Sequence, residues 1–212
     1  MIVKIYLQNY LLIMLLTDLP YFGSISFFQK IIHQESIFYD QDAPYTKMSF
    51  KNRMVIATAQ GPLHLSIPII GGRDQKCPIQ TIQIAYDSPW ELQHFKALVS
   101  NYQRAPFFEY YKDSLFDLYQ TKPKNLLEFQ ITTNEWVRKQ IKGDWLLSVI
   151  PDNSKQTDKW VDPWLPKNYQ NYPQPFQYIQ VFQDKTGILP NLSILDLLFN
   201  CGGKQSKQLL LL

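Results

Sequence analysis

The sequence predicts a single α+β domain in which helices pack on an antiparallel or mixed sheet. Strand patterns at 53–58, 63–69 and 79–86 follow one another with no helix pattern between them, which disfavours a doubly wound parallel sheet. A helix pattern over 88–103 comes next and would cover that sheet. The 212 residues are 45% apolar and 18% charged, a composition that builds one packed core and excludes a disordered chain.

The first half of the chain combines one helix with short strands. Residues 24–34 place isoleucine and phenylalanine at intervals of three and four after Ser24, which can cap a helix. Four strands are predicted here, at 36–39, 53–58, 63–69 and 79–86. The residues between the second and third, 59–62 (AQGP), predict an antiparallel hairpin with a longer turn.

The second half of the chain is mainly helical. Ser88, Pro89 and Glu91 predict a capping box, in which the serine hydroxyl and the glutamate carboxylate each bond a main-chain amide. Leu92, Phe95 and Val99 then mark an apolar stripe, completed by Leu98 and Tyr102. The remaining patterns predict helices at 107–119, 133–142 and 194–200 and a strand at 145–150.

Both ends of the chain, and one long loop, lie outside this pattern. Met14 is an alternative start to Met1, so residues 1–13 are interpreted as a possible upstream extension of a domain over 14–203, with 204–212 as a frayed tail. Residues 151–175 lose periodicity but are rich in aromatic residues. We expect an ordered loop there, which either forms a contact surface or patches the core.

Composition excludes several function classes. The net charge of +3 includes no run of four basic residues, so a nucleic-acid partner is not expected. The apolar stretch 1–16 is too short for a membrane span. Cys77 and Cys201 have no CxxC or Cys/His ligand spacing, so we expect no metal site and a reducing, cytoplasmic location. Glycine-rich phosphate loops are also missing, and no cofactor is expected.

Three histidines are the first candidates for chemistry. His33 lies near a predicted helix end and His64 on the polar face of a strand, so both are expected at the surface. His94 falls at the border of the predicted apolar stripe, a position that can face a cleft. Catalysis by His94 competes there with a structural role, since a lone histidine on a helix is more often structural.

A second group of candidates follows the predicted strand 36–39. Asp40 and Asp42 leave this strand, and Lys47, Asn52 and Arg53 come shortly after. Such carboxylates and cations can form a general base beside an anion clamp, or they can be surface ion pairs on a solvated loop.

A third group surrounds Pro106. The polar-tipped side chains of this group can line a sugar or base pocket, or they can pack the junction of two helices. They are Tyr102, Arg104, Glu109, Tyr110 and Tyr111.

Four segments, in order, resemble the WbqC-like protein family. They are 21–28 (YFGSISFF), 45–53 (YTKMSFKNR), 90–110 with its YQRAPFF run, and 190–200 (PNLSILDLLFN). Members of that family are often encoded in O-antigen gene clusters. The resemblance therefore implies a cytoplasmic protein of cell-surface polysaccharide assembly that binds a small anionic or sugar-linked substrate.

Within this resemblance, the first hypothesis is a transferase that acts on an activated sugar or its precursor. His94 would be the general base, oriented by Asp40, while Lys47 and Arg53 hold phosphate or carboxylate groups. Substrate contacts would also come from Asn52, Tyr102 and Tyr21. This hypothesis predicts that His94, Asp40 and Lys47 share one cleft. The alternative is a non-catalytic binding or assembly protein that uses the loop 151–175.

Overall fold

A computed structural model describes residues 3–7, 10–72, 74–151 and 165–212, with side chains from residue 15 onward. It confirms the mixed α+β class. In these ranges the strands are Val3–Leu7 (β1), Tyr10–Leu16 (β2), Ser36–Tyr39 (β3), Arg53–Thr58 (β4), Gly61–Ser66 (β5) and Leu146–Val149 (β6). The helices are Ile25–Ile31 (α1), Trp90–Tyr102 (α2), Phe108–Gln120 (α3), Leu126–Ile141 (α4), Gln183–Thr186 (α5) and Ile194–Leu210 (α6).

The larger sheet is mixed, with strand order β1-β2-β3-β6. β1 is antiparallel to β2, whereas β2, β3 and β6 run parallel. β4 and β5 form a separate antiparallel hairpin, as predicted. Its turn is tighter than expected, since Thr58 pairs directly with Gly61. Gly61 has φ 115, a conformation that side-chain-bearing residues avoid and that closes this two-residue turn.

The predicted strand at 79–86 is wrong. Residues Ile79–Thr81 form a 3₁₀ turn, and the extended stretch after it makes only isolated bridges, to Ile69 on one side and Asn125 on the other. Its alternating isoleucines are buried against the core, which produces the strand-like pattern without a continuous ladder. Through these bridges the segment contacts the residues after the hairpin on one side and the start of α4 on the other, and it does not extend a sheet.

The capping box predicted for α2 is also wrong. Pro89 has ψ 58 at the helix start, so the Ser88 side chain makes no capping bond, and the Trp90 amide bonds the Ser88 carbonyl oxygen at 2.8 Å. The Glu91 carboxylate is buried and lies 3.4 Å from the Lys122 ammonium. A buried carboxylate needs such a cation, which explains why Glu91 turns away from the helix end.

Two other helices extend beyond the predicted bounds. α4 begins at Leu126 rather than at 133, because the Asn125 side chain accepts a bond from the Glu128 amide at 2.9 Å. α6 continues to Leu210 through a kink at Gly202, whose φ of 71 lets the chain turn and start a new helical run. Residues 204–210 are therefore helical instead of frayed.

Main-chain hydrogen bonds join the segment before α1 to the segment before α6. The Ile25 amide donates to the Leu192 carbonyl and the Ile194 amide to the Gly23 carbonyl, each at 2.9 Å. Ser24 caps α1, as predicted, by accepting from Phe27. The starts of α1 and α6 are thus fixed against each other.

Removal of residues 1–13 is expected to change the free energy of unfolding by only about 1 kcal/mol. The reason is that β2 pairs with β3 through Leu15 and Leu16, both retained in a chain that starts at Met14. Urea unfolding of the two chain lengths measures the change. A loss of several kcal/mol would instead make β1 a required part of the fold.

Candidate functional site

The carboxyl ends of two neighbouring parallel strands form a polar cleft. Thr17 and Asp18 follow β2, and Asp40 follows β3. The cleft is small: its cavity volume is about 10 Å³, room for about one water-sized group, within about 210 Å³ of space that includes open solvent. Its lining residues are Thr17, Asp18, Leu19, Tyr39, Asp40, Lys51, Ile79, Leu127 and Gln130. Ligands of α/β proteins bind at this edge of a parallel sheet, where strand ends present loops from different parts of the chain.

Lys51 is the most unusual residue of the cleft because its side chain is only 5% exposed. Its ammonium donates to the Pro44 carbonyl at 3.1 Å and lies 3.3 Å from the Asp18 carboxylate. The Gln130 amide donates to the Lys51 carbonyl oxygen at 2.6 Å, which holds the main chain in place. A buried ammonium is costly unless it is paired, so these contacts fix both its charge and its position.

Asp40 supplies the second carboxylate. Its Oδ1 accepts from the Asp42 amide at 2.9 Å, an Asx turn that orients the side chain as β3 ends. With Asp18 and Lys51, the cleft presents two carboxylates and one ammonium. Carboxylates accept hydrogen bonds from hydroxyl or amino groups and can take a proton, while an ammonium stabilises negative charge that develops nearby.

His94 lies in a buried hydrogen-bonded chain, away from the border position that the sequence predicts. Trp90, His94, Leu98 and Tyr102, at intervals of four, form the buried face of α2. The Tyr21 hydroxyl is 3.0 Å from His94 Nδ1 and 2.6 Å from the Tyr119 hydroxyl. The structure thus joins two sequence candidates, Tyr21 and His94, but with both buried.

Burial controls the protonation of His94. Desolvation lowers its pKa to about 4, and a hydrogen bond to the Ser66 backbone acts in the opposite direction. The imidazole is therefore neutral at physiological pH. If the other ring nitrogen donates to Ser66, Nδ1 accepts from Tyr21, and Tyr21 accepts in turn from Tyr119.

Tyr102 belongs to a different buried network. Its hydroxyl donates to Asp196 Oδ2 at 2.6 Å and accepts from the Ala57 amide at 2.9 Å. Tyr178 donates to Asp196 Oδ1 at 2.7 Å. Burial raises the pKa of Asp196 to about 6, although its bonds to Tyr102, Tyr178 and Asn200 lower it. Asp196 is fully buried, so this network links α2, α6 and the segment before α5 inside the core.

The remaining candidates each have their own contacts. Lys47 is exposed and forms an ion pair with Asp74. The Asn52 amide donates to the Ile67 carbonyl at 2.8 Å, and Arg53 Nε donates to Ser66 Oγ at 2.8 Å. The described contacts thus divide the candidates among the cleft, the surface, the hairpin and two buried networks. These contacts do not bring His94, Asp40 and Lys47 together in the single cleft that the sequence predicted.

Sequence reasoning found Asp40 but missed Asp18, Lys51 and Gln130. Lysine is almost always exposed, so a lysine in a polar stretch gives no sign of burial. One signal was available in the sequence. The apolar residues that end at Leu16 are followed closely by Asp18, just as the strand pattern 36–39 is followed by Asp40.

Two kinds of feature were not found in the described residues. Over the described ranges, no group of three His, Cys, Asp or Glu side chains has the geometry to hold a metal ion. No helix in the same ranges has the length and apolar character that crossing a bilayer requires. Of the predicted loop 151–175, residues 152–164 lie outside the described part.

Comparison with known proteins gives two matches. The family model described as "WbqC-like protein family" matches residues 19–145. The uncharacterized protein Rv1507c of Mycobacterium tuberculosis (strain ATCC 25618 / H37Rv) is 25% identical over 213 aligned positions, covering 87% of this chain and 89% of the relative. No solved structure matches. The matched family region contains the cleft residues from Leu19 to Gln130.

Proposed function

Because the chain belongs to the WbqC-like protein family, we propose that it is a transferase-type enzyme of cell-surface polysaccharide (O-antigen) biosynthesis. In this proposal it works in the cytoplasm on an activated sugar or its precursor. The single observation that supports a catalytic role is the cleft itself, whose lining contains the buried Lys51–Asp18 ion pair together with the Asp40 carboxylate. Burying a charge costs stability unless it is paired, and a buried charged group that lines a cleft is a candidate for function.

The size and charge of the cleft favour a single hydroxyl or amino group of a sugar. Its cavity volume of about 10 Å³ is far below the ~300–1,000 Å³ of pockets that enclose a whole drug-sized ligand and has room for about one water-sized group, so the rest of a substrate would lie outside the cleft. Its two carboxylates outnumber its one ammonium, so hydroxyl or amino groups fit better there than a phosphate. The carboxylates can accept hydrogen bonds from those groups.

In the proposed reaction Asp40 is the general base. The carboxylate takes the proton from an acceptor hydroxyl or amino group as that group forms a bond to the transferred sugar or acyl unit. The bond to the leaving group breaks at the same centre, and the leaving group departs with the electron pair. The Lys51 ammonium stabilises the negative charge that develops, and Asp18 holds Lys51 in position.

His94 has a positioning role in this proposal. Its pKa of about 4 and its burial make it a poor proton acceptor for a substrate in the cleft. Through Tyr21 and Tyr119 it orders the segment that follows Asp18. Lys47 and Arg53 are left as candidates for binding the distal, anionic part of an activated donor.

Asp40→Asn is expected to lower the rate of group transfer by about 10²–10⁴-fold, the usual contribution of a general base. The assay incubates the protein with nucleoside-diphosphate sugars and measures release of the nucleoside diphosphate. Native mass spectrometry of the purified protein guides the choice of donor by identifying any ligand that co-purifies.

Asp42→Asn is the matched control, since Asp42 is exposed, lies on the same loop and accepts a hydrogen bond from Gln80 outside the cleft. It should leave the rate within about twofold. Equal rates for both variants and the unmodified protein would remove Asp40 from the mechanism. Ligand binding without any turnover would favour a non-catalytic binding protein.

A further inference from the structure

A second concave surface, remote from the cleft, lies where three helices meet. The start of α3, the end of α4 and the kink of α6 surround a groove of about 1240 Å³, including its open face. A Cβ at Gly203 would clash with the Gln140 carbonyl oxygen, so α4 and α6 approach closely at its floor. Gln130 of the cleft and Gln140 of the groove are both on α4, about 15 Å apart along the helix axis at 1.5 Å per residue.

The groove has an exposed aromatic wall. Phe107 and Tyr110 are 42% and 78% exposed, which is high for such large apolar rings. Tyr110 meets Tyr111 edge to face with ring centroids 5.0 Å apart, and the Tyr111 hydroxyl bonds the Gly203 backbone. The aromatic wall is therefore anchored to the kink of α6, and its exposed face is available to stack on a ligand.

Polar side chains complete the groove, and the charged ones are all cationic. Gln140, Gln205 and Gln208 provide amides that both donate and accept hydrogen bonds. Lys142 and Lys204 provide positive charge, and none of the described residues that line the groove is Asp or Glu. The charge of the groove is thus opposite in sign to that of the cleft.

We propose that this groove binds an acidic saccharide chain. The C–H face of a sugar ring would stack on Tyr110, the hydroxyls would bond the three glutamine amides, and carboxylate or phosphate groups would pair with Lys142 and Lys204. Three amides along an open groove suit a ligand with many hydroxyl groups better than a nucleotide, which presents few. The inference does not depend on the reaction proposed for the cleft.

Isothermal titration calorimetry with trigalacturonic acid tests the proposal, with maltotriose as the neutral comparison and UDP as the nucleotide comparison. We expect trigalacturonic acid to bind more tightly than maltotriose or UDP. Its affinity should fall with added salt, because the lysines are exposed. Tyr110→Ala and Lys204→Gln should each weaken binding by about tenfold without changing the melting temperature, since both side chains lie at the surface.

Lys96 is an exposed lysine of α2 outside the groove, so Lys96→Gln is the matched control and should leave the affinity unchanged. Four results would overturn the proposal: no binding of trigalacturonic acid at millimolar concentration, equal binding of maltotriose, preferred binding of UDP, or equal affinity in all three variants. None of them bears on Asp40, so the two proposals fail independently.

Discussion

Asp196→Ala is expected to lower the free energy of unfolding at pH 5 by about 3–5 kcal/mol, the cost of breaking a buried polar network. The Tyr102 and Tyr178 hydroxyls would lose their acceptor in a site without access to water. Each unpaired buried group costs about 1–3 kcal/mol, and the removed carboxyl leaves a small cavity. Urea unfolding followed by tryptophan fluorescence measures the change.

Asp184→Ala is a suitable control because Asp184 is exposed on α5, close in sequence to the same region. We expect a change within about 0.5 kcal/mol for this variant. If Asp196→Ala were equally mild, the network would contribute little to stability, and the fully buried carboxylate would need a functional explanation instead.

His94→Gln is expected to make the free energy of unfolding fall by about 2 kcal/mol between pH 4 and pH 6.5. The pKa of His94 is lowered to about 4 from 6.5, so its contribution to stability is present above pH 6.5 and is lost as the pH falls. The pKa of Asp196 is raised to about 6 from 3.8, so its contribution is present below pH 3.8 and is lost as the pH rises. In the unmodified protein these two effects oppose each other, so together we expect them to change the stability little over this range.

Glutamine can replace both hydrogen bonds of the imidazole without titrating, so the variant reveals the effect of Asp196 alone. Asp196→Asn should show the opposite slope, with stability that rises from pH 4 to pH 6.5. His33→Gln, an exposed site, serves as the control and should follow the unmodified protein. Parallel pH curves for all four proteins would mean that neither buried group titrates in this range.

Local patterns in the sequence predicted much of the fold. The Ser24 cap of α1, the strand β3 and the β4–β5 hairpin depend on neighbouring residues, so a short window is enough to find them. The failures depend on distant partners. The capping box at Ser88 fails because Glu91 is drawn to Lys122, which lies thirty-one positions further along the chain.

The candidate site was less predictable for the same reason. Asp40 could be identified as the residue that follows a strand, but Lys51 becomes notable only when the fold buries it beside Asp18. The stripe assigned to α2 placed His94 at its border. The structure buries His94 together with Leu98 and Tyr102 of that stripe, and leaves Leu92 exposed. Which face of a helix is buried is decided by its neighbours, which periodicity alone does not specify.

The hydrogen bonds between the starts of α1 and α6 have a consequence for the order of folding during synthesis. The Ser193 hydroxyl bonds the Phe22 carbonyl across a sequence separation of 171 residues. At about 5–20 residues per second, a ribosome needs roughly 10–30 s to make the intervening chain. Through that interval the aromatic residues of α1, Phe27 and Phe28, have no α6 to pack against. We therefore expect the faces of these rings that pack on α6 to be exposed, or buried in non-native contacts, until the last helix is made.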